Sequence, residues 1–305
     1  MIFRCYWFTW VDKYNMFHVE QKDSFPIKEA NHYLQTKDFL VTGEVFSLLY
    51  NAETEMLITQ PQPKISELPK YYESNQYISH TDSNKGLFNF LYQTVKGYSL
   101  RKKTRLVNSL NKGPGSLLDI GAGTGDFLTA TKKKGWITEG VEINPKARSL
   151  AEKKGIGLKA SLEDFTGKEY DVITLWHVLE HLPDLEKTIS EITDILKNGG
   201  HLVIAVPNFK SFDATYYKEF WAAYDVPRHL WHFSWESIPK LFRNKAELVK
   251  THPMLFDAYY VCLLSEKYKS GKKLSLTALW TAWRSNFKAK RTKEHSSVIY
   301  VLRKA

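Results

Sequence analysis

The chain has 305 residues, 43% of them hydrophobic and 25% charged, and its formal net charge is +10 at pH 7. These proportions are those of globular domains and exclude a disordered or collagen-like chain. The sequence has no run of about 18 apolar residues, so it predicts no transmembrane helix. Its two cysteines, Cys5 and Cys262, exclude a disulfide framework and a cysteine zinc site. We expect a cytoplasmic protein of one or two domains.

The first 15 residues are crowded with aromatic side chains that follow no helical or strand period. An ordinary polar segment begins at Met16. We interpret Met16, rather than Met1, as the start of translation.

Two apolar runs, 39–41 and 45–50, flank a turn around Gly43 as in a β-hairpin. A third run at 56–59 ends before Pro61, which stops a strand. We expect these runs to form a small β subdomain.

Apolar residues return at helical spacing between Leu87 and Val95, and a basic stretch at 101–105 follows them. We interpret this segment as a helix that covers the ligand site formed by the next part of the chain.

That site begins with a short apolar strand, 117–120, which contains Asp119 and runs into a turn with alternating glycines. Glycines at alternate positions allow positive φ and let the backbone approach a ligand. The dinucleotide fingerprint G-x-G-x-x-G requires glycine or alanine at position 126, where this chain has Asp126, so NAD is disfavoured. The turn glycines are Gly121, Gly123 and Gly125.

A second apolar strand, 137–141, is followed by Glu142, and Asn144 and Pro145 mark the start of a helix. An acid at the tip of the second strand is placed to accept hydrogen bonds from both hydroxyls of a ribose. The order strand, glycine turn, helix, strand and acid predicts a site for an adenosine-containing ligand.

This arrangement, Asp119-x-Gly121-x-Gly123-x-Gly125 followed by Glu142, resembles motif I and the ribose-binding acid of the class I S-adenosylmethionine-dependent methyltransferases. Three later segments are similar to the ubiquinone-biosynthesis-like branch of that family, the methyltransferase domain 23 type. They are the fourth strand with its loop (170–184), the glycine-entered fifth strand (199–208) and the segment 225–234.

The resemblance covers about residues 70–305 and implies an α/β, Rossmann-like fold. We expect a seven-stranded, mainly parallel sheet with helices on both faces, closed by two antiparallel strands. The predicted strands are 117–120, 137–142, 157–159, 171–176, 202–206, 247–251 and 298–302.

We divide the chain into an N-terminal extension with a small β subdomain, 1–75, and a methyltransferase domain, 76–305. Many relatives carry a cysteine zinc ribbon at the place of the β subdomain. The corresponding span from Tyr50 to Met56 contains no cysteine, so we expect a ribbon remnant without zinc.

The resemblance implies a role for each residue of the cofactor site. Asp119 faces the methionyl ammonium group, and Glu142 takes the ribose hydroxyls. Trp176, at the end of the fourth strand, would lie against the sulfonium, because a positive charge favours contact with an aromatic face. Glu163 or Asp164 would take the exocyclic amine of the adenine. The predicted cofactor-binding residues are Asp119, Gly121, Gly123, Gly125, Glu142, Leu162, Glu163, Trp176 and His177.

The implied reaction transfers a methyl group from the sulfonium to an O, N, S or C atom of an acceptor, and one proton has to be positioned or removed. Histidine suits that task at neutral pH. We select His229, His181 and Arg228 as catalytic candidates, with Arg228 holding an anionic or carbonyl-bearing substrate. In the structural alternative, Arg228 and His229 fasten their loop to the core.

Three residues have the spacing of metal ligands. His177, Glu180 and His181 stand at i, i+3 and i+4, so on a helix they share one face. In the resembling O-methyltransferases an acid, an acid and a histidine at these places are associated with a divalent cation that polarises a phenol. Imidazole is a poor ligand for magnesium. Because His177 replaces the first acid, a divalent metal is disfavoured here, and we interpret Glu180 as a cap or a substrate contact.

The basic charge is concentrated near the end of the chain, in a predicted amphipathic insertion at about 265–293. Between Lys267 and Lys293 the chain has nine basic residues and no acidic one. An apolar stripe at helical spacing runs through the segment: Leu276, Leu279, Trp280, Trp283 and Phe287. Three interpretations remain open, namely a lid helix with a solvated basic face, a contact with an anionic membrane that serves a lipophilic substrate, and a contact with RNA.

We predict an S-adenosylmethionine-dependent methyltransferase that O-methylates a small or lipid-like acceptor, in the cytoplasm or peripheral to the membrane. One alternative is an RNA methyltransferase that uses the basic segment, although 207–209 does not match the Asn/Asp-Pro-Pro-aromatic motif of adenine N6 enzymes. The other is a non-catalytic cofactor-binding module. The sequence does not identify the acceptor or the oligomeric state.

Overall fold

A computed structural model describes residues 30–72, 87–272 and 274–305, with the backbone alone for 87–94. The predicted start at Met16 and the aromatic stretch before it lie outside the described residues.

The described residues form ten strands and eight α-helices. The strands are β1 (Ala30–Lys37), β2 (Val45–Asn51), β3 (Met56–Gln60), β4 (Ser116–Ile120), β5 (Ile137–Val141), β6 (Tyr170–Trp176), β7 (Leu196–Pro207), β8 (Trp231–His232), β9 (Glu247–Pro253) and β10 (Ser297–Arg303). The helices are α1 (Leu87–Leu110), α2 (Asp126–Lys132), α3 (Pro145–Glu152), α4 (Leu185–Asp194), α5 (Phe212–Tyr217), α6 (Ser237–Leu241), α7 (Leu255–Ser270) and α8 (Leu276–Thr292).

Six strands form the central sheet in the order β5-β4-β6-β7-β10-β9. The first four are parallel, and β10 is antiparallel to both of its neighbours. The parallel strands are almost continuously buried, as expected where helices cover both faces of a sheet. The predicted mainly parallel, Rossmann-like α/β fold is confirmed.

The sheet has six strands where seven were predicted, because residues 157–159 do not form a strand. Lys159 makes a single parallel bridge to Val141. Ser161 already caps the next helical turn two residues later, so the pairing cannot extend.

The carboxyl ends of β4 to β7 and of β9, together with the start of β10, lie along one side of the central sheet, here called the carboxyl edge. Ligands of open α/β sheets bind at this edge. The glycine turn follows β4, Glu142 follows β5 and His177 follows β6, so the fold brings these predicted site residues to the same edge.

A second, antiparallel sheet has the order β1-β2-β3-β8. Its hairpin was predicted with the first strand at 39–41, and that position was wrong, because β1 ends at Lys37. The Asp38 carboxylate accepts hydrogen bonds from the backbone N–H groups of Leu40, Val41 and Thr42, which holds 39–41 in the turn.

The N-terminal sheet takes its fourth strand, β8, from the predicted signature segment 225–234. The domain boundary at residue 75 stays a prediction, although this pairing joins the two parts of the chain.

A buried cation reinforces that junction. Arg228 is 1% exposed. Its Nη2 lies 2.8 Å from carboxylate oxygens of both Asp38 and Asp225, and its Nη1 donates to the Tyr71 carbonyl at 2.7 Å. Arg228 therefore ties the N-terminal sheet to the loop before β8, and these contacts favour the structural alternative for this residue. Its catalytic role stays a prediction.

Replacing Arg228 with alanine should lower the free energy of unfolding by about 3–5 kcal/mol, because Asp38 would remain buried without its cation. Urea unfolding of Arg228→Ala measures this loss. Exposed Arg243 provides the control, and Arg243→Ala should change stability by less than about 0.5 kcal/mol. Wild-type stability in Arg228→Ala would contradict the structural role.

Candidate active site at the carboxyl edge

The glycine turn separates a packed side from an open side. Gly121 and Gly123 have φ values of 72° and 55°, in the left-handed region. A Cβ atom at Gly121 would lie 2.3 Å from Cγ2 of Val178, whereas one at Gly123 would meet nothing within 4 Å. Gly121 therefore serves packing, and the backbone at Gly123 borders space that a ligand can fill.

Glu142 closes this space from the side of β5. Its carboxylate is 1% exposed. Oε2 accepts the N–H of Gly123 at 2.9 Å, and Oε1 accepts the N–H of Asn144 at 2.8 Å. Burial raises the pKa of Glu142 to about 7 despite these bonds. The remaining lone pairs of the carboxylate can accept two hydroxyl groups.

Asp119 is a second buried carboxylate at this edge. Oγ1 of Thr174 donates to it at 2.5 Å. Burial raises the pKa of Asp119, while Thr174 and Lys103 oppose the increase and Glu142 adds to it. Two neighbouring buried acids favour a ligand that brings positive charge.

Lys103 and Trp176 lie together near the carboxyl edge. Nζ of Lys103, on α1, is 4.0 Å from the centroid of the Trp176 ring. Trp176 itself is 3% exposed and makes an edge-on contact with Phe127. The ring predicted to face a sulfonium thus already faces one cation in the structure, and its cofactor role stays a prediction.

The predicted adenine segment forms a short 3-10 turn, Leu162–Phe165. The side chain of Asp164 takes part in a capping box with Ser161, so Glu163 is the acid left for an amine. Glu163 is exposed, and Leu162 packs on the core. The segment starts just after the bridge between Lys159 and Val141, beside the tip of β5.

His177 lies between two buried carboxylates. It has a φ of 58°. Its Nδ1 is 3.4 Å from Oε1 of Glu180, and its Nε2 is 3.1 Å from Oδ2 of Asp257. Burial alone would lower the pKa of His177, but the bonds to Asp257 and Glu180 outweigh it and raise the pKa. The two carboxylates therefore favour the protonated form of His177.

His181 and His229 each hold the Nδ1 atom of the ring against a backbone carbonyl. Nδ1 of His181 lies 2.9 Å from the Arg228 carbonyl, and Nδ1 of His229 lies 2.8 Å from the Ala223 carbonyl. A carbonyl oxygen only accepts, so each Nδ1 carries the hydrogen and each neutral ring has its lone pair on Nε2. Burial and His229 lower the pKa of His181 to about 4.

The potential metal ligands differ from the predicted set. Ligand atoms of Glu180, His181 and His229 all lie within 4.8 Å of one another. His177 is replaced by His229 because residues 179–181 form a 3-10 turn and both nitrogens of His177 face carboxylates. Two imidazoles and one carboxylate do not fit magnesium.

A cavity of about 930 Å³ adjoins the carboxyl edge, between α1, the start of α7 and α8. Lys103 and Asp257 lie among its lining residues, next to Trp176 and His177 respectively. Its other walls are mainly apolar, with Tyr98, Phe256 and Trp283 among them. Its volume suits a small organic ligand. His181, Arg228 and His229 do not line it.

Sequence reasoning missed Lys103 and Asp257. Lys103 stands on the apolar face of α1, four residues before fully buried Val107, and a lysine on an apolar face was an available signal. Asp257 follows the end of β9 by four residues. Its place at the site became visible only when the direction of β9 was known.

Glu142 predicts a pH-dependent stability. Its pKa is about 4.5 in an unfolded chain and about 7 in the fold, so between these values the folded state binds more protons and stability falls as the pH rises. Melting temperatures of wild type and Glu142→Gln from pH 5 to 8 should diverge, with the wild type losing more. The control is Glu152→Gln, at the exposed end of α3. Parallel curves for wild type and Glu142→Gln would show that Glu142 titrates normally.

Comparisons with known proteins agree with this geometry. The family model Methyltransf_23, described as a methyltransferase domain, matches residues 92–249. The ubiquinone biosynthesis O-methyltransferase of Saccharophagus degradans is 30% identical over 102 residues, covering 30% of this chain and 43% of that protein. An uncharacterized protein of Methanocaldococcus jannaschii is 36% identical over 117 residues, covering 37% of this chain and 54% of that protein.

The chain thus spans about half the length of the curated relatives it matches. Among solved structures, a SAM-dependent methyltransferase from Archaeoglobus fulgidus is 20% identical, with a TM-score of 0.46, and the match covers 72% of this chain and 100% of that one. The family match covers more than half of the 305 residues. The chain belongs to the methyltransferase-domain family, as its motifs predicted.

Proposed function

We propose that this chain binds S-adenosylmethionine at the carboxyl edge and methylates a hydroxyl group of a small or lipid-like acceptor. The observation that carries the proposal is the buried Glu142 carboxylate, which holds the N–H of Gly123 beside open space. This arrangement offers a ribose two acceptor positions and a backbone that it can touch.

The residues present fit this cofactor. Asp119 and Glu142 are buried acids with raised pKa values, and a ligand with ammonium and sulfonium charges would stabilise their ionised forms. Lys103 lies near Asp119 and is placed to face the cofactor's carboxylate. When bound, the cofactor supplies an electrophilic methyl group on a sulfonium sulfur.

We assign His229 as the general base. Its Nδ1 is held by the Ala223 carbonyl, so its Nε2 lone pair faces Glu180 and His181. Nε2 of His229 would accept the proton that the acceptor hydroxyl loses when its oxygen takes the methyl group. Buried Glu180, and partly buried Asp225 at 4.0 Å, would stabilise the resulting imidazolium.

Support for a hydroxyl acceptor comes from the Nε2 lone pair of His229 and from those relatives that are named ubiquinone biosynthesis O-methyltransferases. The largely apolar walls of the cavity support an acceptor with an aromatic or aliphatic body. Because His229 does not line the cavity, the hydroxyl end of this acceptor would have to extend past Asp257 and His177, towards Glu180 and His229. Incubation with methyl-labelled cofactor and pools of phenols, alcohols and lipids tests the proposal directly. Label found only in amines, thiols or RNA would overturn O-methylation.

Glu142→Ala should weaken the binding of S-adenosylmethionine and of its demethylated product by about 1–3 kcal/mol, because charge-assisted bonds to the ribose are lost. Calorimetry below the melting temperature of the variant measures this change, with Glu152→Ala as the control. Unchanged affinity in Glu142→Ala would refute the ribose assignment, and measurable binding of NAD would refute the choice of cofactor.

His229→Ala should lower turnover by roughly 10²- to 10⁴-fold and leave cofactor affinity nearly unchanged, since a general base acts only in the chemical step. His201, on the opposite edge of the sheet, is a matched histidine control. If His229→Ala lost thermal stability and cofactor binding together, its role would be structural. If a chelator abolished turnover, a metal site rather than a general base would activate the acceptor.

A further inference from the structure

Helix α8 buries its small side chains and exposes its large ones. The buried residues of α8 are alanine, serine and threonine: Ala278, Thr281, Ala282, Ser285 and Ala289. On the opposite side, Leu276, Trp280 and Trp283 are 85%, 52% and 53% exposed. This is the reverse of the usual amphipathic arrangement.

The orientation of α8 is fixed by polar contacts in the core. Asp213 is fully buried, and its carboxylate accepts hydrogen bonds from Ser285 at 2.6 Å, Ser296 at 2.7 Å and Trp221 at 2.8 Å. Rotating α8 to bury its aromatic residues would remove Ser285 from this carboxylate. The exposed stripe is therefore a stable feature of the fold.

Helix α7 extends the same surface. It buries Asp257 and Glu266 but exposes Leu255, Phe256 and Tyr260. We call the combined surface the aromatic face. It consists of Leu255, Phe256, Tyr260, Leu276, Leu279, Trp280, Trp283 and Phe287. A contiguous exposed apolar surface of this kind marks an interaction site.

Cations lie among these apolar side chains. The Arg284 guanidinium is 4.4 Å from the Trp280 ring centroid, and Nζ of Lys290 is 5.8 Å from that of Phe287. The segment from Lys267 to Lys293 has no acidic residue. Aromatic rings mixed with long basic side chains are the composition of interfacial helices, whose rings sit at headgroup level while the cations reach lipid phosphates.

The cavity opens on this face. Phe256, Trp283 and Phe287 belong to the aromatic face and also line the cavity, as does Lys290. The ring of Phe256 meets that of Tyr98, on α1, at 5.5 Å. The aromatic face and the cavity therefore share part of their lining.

We propose that the aromatic face docks on an anionic phospholipid bilayer, with the mouth of the cavity turned towards the lipid. Anionic headgroups complement the acid-free basic segment, and the hydrocarbon boundary takes the leucine and tryptophan side chains. RNA would satisfy the cations and could stack on the rings, but it would leave the aliphatic side chains of Leu255, Leu276 and Leu279 exposed. Among the helices of 30–72, 87–272 and 274–305, none has the length and hydropathy of a membrane span. The proposed contact is through the exposed side chains of the aromatic face.

The docking is independent of the proposed function. The entry of an amphiphilic acceptor from the lipid rests on that function. Binding is therefore measured first without cofactor or acceptor, by flotation with vesicles of phosphatidylcholine alone or mixed with phosphatidylglycerol. The wild type should partition to the mixed vesicles and lose this binding at high salt.

Two double variants test the two components of the face. Leu279 and Trp280 do not line the cavity, so Leu279→Ser/Trp280→Ser leaves the acceptor site intact. It should reduce partitioning about tenfold or more. Lys288→Glu/Arg291→Glu should cause a similar loss. The controls are Ile137→Ser, at an exposed position on β5, and Lys133→Glu/Lys134→Glu, at exposed positions after α2.

Equal partitioning of the wild type and Leu279→Ser/Trp280→Ser, or no partitioning of either, would overturn the proposal. The proposal would also be overturned if, in competition between RNA and vesicles, the protein bound the RNA more tightly. A wild-type dimer that becomes monomeric in Leu279→Ser/Trp280→Ser would assign the face to a second copy of the chain. If docking holds while methyl transfer fails, the proposed function alone is wrong.

Discussion

The burial of the Glu142 carboxylate is the constraint on which the carboxyl edge depends. A carboxylate removed from water needs partners, and here they are the N–H groups of Gly123 and Asn144. The same two bonds place the open side of the glycine turn next to the start of α3. Glu142 therefore both holds the glycine turn in place and is the group proposed to bind the ribose, so folding and ligand binding use one carboxylate.

Other buried acids along the edge are compensated in different ways. Asp119 has Thr174 and the nearby charge of Lys103, whereas Asp257 and Glu180 share His177. His177 takes a left-handed backbone conformation to reach both, which is a conformation that costs energy and is found at functional sites. The edge thus has more buried acidic groups than basic ones, and this balance suits a cationic ligand better than a nicotinamide dinucleotide with its two phosphates.

The sequence predicted what depends on local pattern. Strand, glycine turn and acid lie within one continuous stretch, so β4, Gly123 and Glu142 were correctly placed at one edge. Contacts between distant segments were not predictable. Asp38 turns the first hairpin and meets Arg228, 190 residues away. His229 joins Glu180 and His181 as a potential metal ligand only through the fold. The strand predicted at 157–159 does not form for a local reason, because the cap at Ser161 leaves room for only one bridge, between Lys159 and Val141.

Helix α8 shows why a periodic pattern leaves the orientation of a helix open. Its leucine and aromatic stripe was visible in the sequence, and the usual expectation is that such a stripe faces the core. The opposite side has the same period in alanine, serine and threonine, which lets two helices approach closely. Asp213 decides between the two sides, because leaving its buried carboxylate without the hydroxyl of Ser285 would cost more free energy than burying another tryptophan would gain. An acid 72 residues away thus turns the apolar stripe outward and places it around the mouth of the cavity.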